Sequence, residues 1–192
     1  ATLPTAHTVI ADLNFTDHYV AVQQTVHYTN TDSDALAQFV LNIEPNRWNH
    51  VFTLNRARIN DVDLGTALDG NTLTFDLPET LDSGCRADIT LDYRLDLPLV
   101  GEGIYANYGY FGYTNRQLNL GHWLATVAPR RGGDWITRQA FLIGEQDVLE
   151  VADWDVTLSV IDAPENLTIA APGTMTQLNE HTYRFVHDIA RD

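Results

Sequence analysis

The chain has 192 residues, of which 44% are hydrophobic and 19% charged, a composition typical of a globular protein that builds its own core. Its formal net charge of −15, from 26 acidic residues against eleven arginines and no lysine, argues against nucleic acid and anionic lipid headgroups as partners. No segment approaches the ~20 consecutive apolar residues of a membrane-spanning helix, so no membrane span is predicted, and a single cysteine excludes an internal disulfide.

The first half of the sequence predicts a series of β-strands. Apolar and polar residues alternate with a period of two, which predicts strands at residues 19–28, 39–43 and 52–59. Gln24 interrupts the apolar face of the first of these strands. The turn residues Asp69 and Gly70, followed by alternation over residues 72–77, predict a β-hairpin.

Residues 85–97 carry the clearest strand pattern of the chain. Every second residue from Cys85 to Leu97 is apolar, and Arg, Asp and Thr fill the positions between them. Strict alternation over this length predicts a long antiparallel strand with one face in water. Because Cys85 falls on the apolar face of this pattern, we expect its thiol to be buried and inert.

The second half begins after Pro98, where glycine, aromatic residues and amides replace the regular alternation. Further strands are predicted at residues 154–160 and 183–186, and residues 164–168 are interpreted as a turn that leads into a short strand. No window has the apolar spacing of a long helix. The sequence therefore predicts an all-β, antiparallel sandwich or strongly curved sheet that forms a single domain over residues 1–192.

No arrangement of side chains in the sequence indicates a catalytic or metal site. The seven histidines do not form the H-E-x-x-H spacing of a zinc site, and no G-x-S-x-G nucleophile motif is present. An acidic stretch is interpreted as a solvated face; its members are Glu145, Asp147, Glu150, Asp153 and Asp155. We therefore expect no catalytic residue, no metal ligand and no cofactor in this chain.

The aromatic, glycine-rich segment from Tyr105 to Trp135 leaves two interpretations open. Large aromatic side chains fill the core of a β domain, but exposed Tyr and Trp beside amides also form sugar- and peptide-binding faces. The alternative function is therefore a free-standing carbohydrate- or protein-binding β-sandwich module. The chain does not begin with Met, and we expect it to be a piece of a longer polypeptide. The sequence leaves its compartment open, whether cytoplasmic, envelope or secreted.

The order of several segments resembles the N-terminal domain of the gluzincin zinc aminopeptidases, the family of aminopeptidase N and leukotriene hydrolase. The likeness is greatest to the shorter bacterial members. Glu150 to Leu158 is similar to the family pattern "E-x-A-D-Y-D-V-T-L", and residues 189–192 are similar to its "I-R-D-F" step. Weaker matches complete the series at residues 26–30, 35–45, 81–97, 121–129 and 164–173.

The resemblance implies a saddle-shaped β domain that packs on a thermolysin-like catalytic domain and walls its substrate cleft. It places the zinc ligands in that catalytic domain, so this chain would not be an enzyme on its own, although its parent would be a zinc-dependent aminopeptidase. The implied partners are the catalytic domain and, through the parent, a peptide substrate. By position, Gln117 and Asn119 are the counterparts of the residue that helps to hold the substrate's free amino group.

Overall fold

The computed structural model of the protein describes residues 5–101, 109–137 and 149–191. Within these ranges the chain forms sixteen strands and one short 3₁₀ helix, Glu44–Arg47. The strands are β1 (Thr5–Asn14), β2 (Tyr19–Thr29), β3 (Leu36–Asn42), β4 (Phe52–Ile59), β5 (Val62–Asp63), β6 (Thr66–Asp69), β7 (Thr72–Leu81), β8 (Arg86–Asp96), β9 (Phe111–Tyr113), β10 (Leu118–Leu120), β11 (Thr126–Val127), β12 (Arg130–Arg131), β13 (Asp134–Trp135), β14 (Ala152–Ile161), β15 (Thr174–Asn179) and β16 (Thr182–Ala190).

The larger layer of the fold is an eight-stranded sheet in the order β15-β16-β14-β1-β2-β8-β4-β5. Its neighbouring strands are antiparallel except for β1 and β14, which run parallel from the pair Ala6 and Asp153 to the pair Asn14 and Ile161. A parallel pair requires a crossover connection. Here the whole chain between the two strands supplies it, so the sequence-distant ends of the fold meet at the centre of one sheet.

The second layer is a four-stranded antiparallel sheet in the order β11-β3-β7-β6. Its inward side chains, such as Phe39 and Phe75, are fully buried against inward side chains of the large sheet. The ring of Tyr28 on β2 meets that of Phe39 on β3 edge to face at 4.9 Å and so joins the two layers. The predicted all-β sandwich is confirmed, as is the hairpin at Asp69 and Gly70, which connects β6 to β7.

The outer face of the large sheet is polar, as the alternation in residues 85–97 predicts. Ion pairs cross this face between neighbouring strands, among them Arg58 with Asp92, 3.2 Å apart, and Arg184 with Asp155, 2.7 Å apart. Surface pairs of this kind contribute about 0–1 kcal/mol each. The face therefore owes its stability to the apolar side chains beneath it rather than to the charges.

The structure corrects the prediction for Cys85, which is exposed rather than buried. The apolar alternation continues one residue past the end of the strand, since β8 begins at Arg86. Cys85 lies in a turn whose backbone N–H donates to the carbonyl of Asp82 at 3.0 Å, next to Gly84 with a positive φ of 78°. Turn geometry, rather than the strand pattern, decides where the thiol points.

One further prediction in the second half is revised. The turn at residues 164–168 is present, with the N–H of Leu167 donating to the carbonyl of Pro164 at 3.1 Å, but no strand follows until β15. Residues 166–173 instead cross the inner face of the sheet as irregular backbone. Tyr105 and Tyr108 of the aromatic segment, and Glu145 and Asp147 of the acidic stretch, lie outside the described residues.

Candidate functional site

The inner face of the large sheet carries a cleft of about 610 Å³ at its β14–β16 end. Strand periodicity places alternate residues of β14 on this face, and they form the floor of the cleft together with Leu13 and Phe185. Two segments that are distant in sequence, residues 116–124 and 164–172, form its walls. The floor residues contributed by β14 are Trp154, Val156, Leu158 and Val160.

Glycine allows each wall segment to pack closely against the backbone of a neighbouring segment. A Cβ atom on Gly121 would lie 2.8 Å from the carbonyl oxygen of Tyr110, which already accepts a hydrogen bond from the Gly121 N–H. At the other wall, Gly173 has a φ of 83°, and its Cβ would lie 2.4 Å from the carbonyl oxygen of Val186. Both contacts are too short for any other residue without a backbone shift.

A buried polar network lies beneath the cleft and is centred on Gln24. Its amide nitrogen donates to Nδ1 of His7 at 3.0 Å and to the carbonyl of Ala125 at 2.6 Å. Its amide oxygen accepts from the Tyr93 hydroxyl at 2.9 Å and from the N–H of Ala125 at 3.0 Å. All four hydrogen-bonding positions of the Gln24 amide are therefore used, which ties the segment after Leu124 to β1, β2 and β8.

The electrostatics of this network follow from its burial. Loss of solvation lowers the pKa of His7 to about 3, with a smaller contribution from His27, so the ring is neutral. Since Nδ1 accepts from Gln24, the ring proton is assigned to Nε2. Burial also raises the pKa of the Tyr93 hydroxyl. The polar interruption at Gln24 was the one sequence signal of this network.

The structure places one of the two predicted substrate-binding residues at the cleft. Gln117 is exposed and lines the cleft just before β10, with its backbone held in a turn by Thr114: the Gln117 N–H donates to Thr114 Oγ1 at 3.1 Å. Asn119 lies on β10 and does not line the cleft, and its side-chain amide donates to the carbonyl of Gly109 at 2.6 Å. The role of either residue in holding a substrate stays a prediction.

Glu150 departs from the interpretation of the acidic stretch as a solvated face. The residue is partly buried, and this burial raises the pKa of its carboxyl to about 7. Burial, helped by the Glu150 and Asp32 charges, raises the pKa of nearby Tyr28 to about 12. The Thr5 side chain acts in the opposite direction on Glu150 and lowers the pKa of its carboxyl. Asp155, by contrast, is paired with Arg184 on the outer face.

Within residues 5–101, 109–137 and 149–191, no three His, Cys, Asp or Glu side chains lie close enough to hold a metal ion. Those ranges also contain no helix with the length and apolar character needed to cross a bilayer.

Comparison with known proteins adds information on the fold. No protein-family model and no curated protein matches the chain. Solved structures do match, and one is a mutant two-domain M1 zinc metallopeptidase bound to L-tryptophan, with a TM-score of 0.59 and 17% sequence identity. The alignment covers 96% of this chain and 39% of that one. The chain shares its fold with a part of the M1 zinc metallopeptidases.

Other matches agree with this result. The M1 zinc metallopeptidase from Deinococcus radiodurans matches with a TM-score of 0.58 and 16% identity, again over 96% of this chain and 39% of its own. A mutant from the same organism, bound to a Tyr-Ser-Ala substrate, matches with a TM-score of 0.59 and 16% identity. The chain thus spans about two fifths of the length of these metallopeptidases, and the resemblance inferred from sequence is confirmed at the level of fold.

Proposed function

We propose that this chain is the N-terminal, non-catalytic β domain of a zinc aminopeptidase, which packs on a catalytic domain of the same polypeptide and walls its substrate cleft. The supporting observation is the asymmetry of the structural matches, which cover 96% of this chain but 39% of the metallopeptidase chains. In this proposal the zinc ligands lie in the remaining part of the parent, and residues 5–101, 109–137 and 149–191 hold no group of three potential ligands.

In this proposal the chain contributes to binding rather than to chemistry. The exposed side-chain carbonyl of Gln117 can accept a hydrogen bond from the ammonium group of a peptide, and Thr114 fixes the turn that presents it. The apolar cleft beside Gln117 can receive an apolar side chain. Asn119 is in a weaker position, because it does not line the cleft and the hydrogen bond to the carbonyl of Gly109 holds its amide in place.

The experiment that tests the proposal begins with the coding sequence beyond Asp192. The proposal requires an H-E-x-x-H motif followed about twenty residues later by a glutamate, the ligand set of such a zinc site. A coding sequence that continues without these ligands contradicts it. In the parent enzyme, Gln117→Ala is then expected to raise KM for peptides with a free amino group, whereas Arg131→Ala, outside the cleft, leaves KM unchanged.

The alternative, a free-standing binding module, has one observation in its favour. The cleft is preformed, and residues of the aromatic segment, including Trp123, line it. Titration of the isolated chain with glycan and peptide panels, followed by tryptophan fluorescence, separates the two functions. Saturable binding of a glycan by the isolated chain favours the module, and its absence together with a zinc motif in the parent favours the accessory domain.

A further inference from the structure

The charge of the cleft differs from that of the rest of the molecule. Among the described residues that line it there is no Asp or Glu, although the chain has 26 acidic residues and a formal charge of −15. The ionisable side chains on this lining are Arg116, His122 and His187. The described lining therefore carries the fixed positive charge of Arg116 and no carboxylate, on a strongly acidic protein.

Arg116 is placed differently from the arginines of the outer sheet face. Arg56, Arg58 and Arg184 each pair with an aspartate there. The guanidinium of Arg116 is exposed at the mouth of the cleft and has no ion pair or side-chain hydrogen bond within the part of the chain that the structure describes. In a protein with more than two acids for each base, an arginine without a carboxylate partner is available to an external anion.

The interior of the cleft is apolar and of a size suited to a small molecule. About 610 Å³ lies within the range of ligand sites, which are commonly 300–1,000 Å³ and lined mainly by apolar side chains with a few polar groups at defined positions. Here the floor is apolar, and Ile169 and Leu120 add apolar surface from the two walls. The groups that fix orientation lie at the mouth, namely Arg116 and Gln117.

We infer that this cleft binds a small apolar molecule that carries one carboxylate, with the apolar body on the β14–β16 floor and the carboxylate at Arg116. The positive charge of Arg116 favours a ligand with a carboxylate over a neutral or cationic one. A cationic amphiphile finds no counter-ion on the described lining, whereas a carboxylate gains the Arg116 charge and the Gln117 amide as hydrogen-bond donors. The inference concerns the cleft that the proposed function also uses. Because it is tested on the 192-residue protein alone, it can fail while the parent carries a zinc motif, so the two failures are distinguishable.

Three probes with the same apolar chain and different head groups test the charge selection. Dodecanoate, dodecanol and dodecyltrimethylammonium are titrated below their aggregation concentrations into the 192-residue protein, with tryptophan fluorescence as the readout, because Trp123 and Trp154 line the cleft. Dodecanoate is expected to bind at least about five-fold more tightly than dodecanol, and dodecyltrimethylammonium more weakly than either. Equal affinity for all three, or no saturable signal, overturns the inference.

The two sources of an apolar carboxylate, a fatty acid and the carboxyl end of an apolar peptide, are separated by a further arm. N-acetylated dileucine carries the same head group on a peptide body. Its amide-capped form removes the carboxylate while the side chains stay. Binding of the free acid but not of the capped form assigns the site to peptide carboxyl ends, and preference for dodecanoate assigns it to fatty acids. Binding of neither acid contradicts the inference.

Substitution of Arg116 tests whether the carboxylate of the ligand lies at this residue. Arg116→Gln is expected to weaken dodecanoate binding about five-fold and to leave dodecanol binding unchanged, because it removes the positive charge and keeps a polar hydrogen-bonding side chain. Arg131→Gln is the matched control, since Arg131 is also exposed but lies on β12, away from the cleft. Equal losses in the two variants overturn the assignment.

A second variant introduces the missing negative charge. Ile169→Asp places a carboxylate on the irregular wall segment, where the native side chain is only partly buried, so the fold is expected to survive. Dodecanoate binding should fall by at least tenfold, and dodecyltrimethylammonium binding should rise. A variant that still binds dodecanoate with wild-type affinity places the ligand elsewhere on the protein.

Discussion

The imidazole of His7 lies flat against the indole of Trp154, with ring centroids 3.9 Å apart and planes 6° from parallel. His7 belongs to the buried network around Gln24, and Trp154 forms part of the floor of the cleft. The stacked pair spans β1 and β14, the parallel pair at the centre of the large sheet. The stacked pair thus places the His7 ring directly against the floor of the cleft.

Stability is expected to fall in acid because of His7. Its pKa is about 3 in the folded protein and 6.5 when unperturbed, so the unfolded chain takes up a proton at a pH where the folded chain does not. Folding stability is therefore lost as pH falls below 6.5, by up to ~1.4 kcal/mol per pH unit from this group. Urea denaturation of wild type and His7→Gln at pH 7.5 and 5.0 measures this contribution.

The stability advantage of the wild type over His7→Gln should shrink by about 2 kcal/mol between these two pH values. His181→Gln is the control, because the His181 side chain is about half exposed. An advantage that is the same at both pH values contradicts a neutral, buried His7.

We expect the hydrogen bonds of the Gln24 amide to contribute several kcal/mol to the free energy of unfolding. Gln24→Leu keeps a similar volume but leaves His7 Nδ1, the Tyr93 hydroxyl and the backbone of Ala125 buried without their partner. Because each buried group without a partner costs about 1–3 kcal/mol, we expect a loss of about 3 kcal/mol or more in the free energy of unfolding.

The neighbouring Gln23 provides a matched control for Gln24. It lies on the same strand but on the outer face, where its side chain is exposed and donates to Asp92 at 3.0 Å. Gln23→Leu should change the free energy of unfolding by at most about 0.5 kcal/mol. Similar losses of unfolding free energy in the two variants would show that the buried network stabilises the fold no more than an exposed hydrogen bond does.

Glu150 predicts a pH dependence of the opposite sign. With a folded pKa of about 7 against 4.5 ordinarily, the folded protein retains a proton that the unfolded chain has released. Stability is therefore lost as pH rises from 4.5 to 7. Glu150→Gln, which mimics the neutral acid, should gain about 3 kcal/mol over wild type between pH 4.5 and pH 8, as measured by urea denaturation.

The control for this experiment is Glu79→Gln, in which an exposed carboxylate on β7 is neutralised in the same way. Its stability difference from wild type should not change between the two pH values. If Glu150→Gln behaves like this control, the Glu150 carboxyl is not buried in its neutral form.

Cys85 should react as an accessible thiol in the native protein. It is exposed in the turn that precedes β8, so a disulfide reagent such as 5,5′-dithiobis-(2-nitrobenzoate) should label one thiol without denaturant. The rate should change little on addition of urea below the unfolding transition. A thiol that reacts only in unfolding concentrations of urea would restore the buried position inferred from the sequence pattern.

The sequence was sufficient for features that depend on local periodicity. Alternation over residues 85–97 located β8 to within one residue at each end, and the Asp69-Gly70 turn located a hairpin. Both depend on neighbours within a few residues. The same rule placed Cys85 wrongly, since the alternation passes beyond the end of the strand and carries no information on where backbone pairing stops.

The site depends on contacts that a single sequence does not encode locally. The cleft needs the parallel pairing of β1 with β14 and two walls that are some fifty residues apart. His7 and Tyr93 meet Gln24 only after β1, β2 and β8 are aligned. Of the two substrate-binding residues inferred from the resemblance, the structure brings Gln117 to the cleft and Asn119 to the Gly109 carbonyl.

The most direct test of the accessory-domain account is the size and zinc content of the native protein that contains this sequence. Antibodies raised against the 192-residue chain isolate it, and mass spectrometry with elemental analysis gives both quantities. The account predicts a polypeptide more than twice as long as this chain, because the matches cover 39% of the metallopeptidases, with one zinc ion per polypeptide. A native polypeptide of the same length as this chain, without zinc, would contradict it.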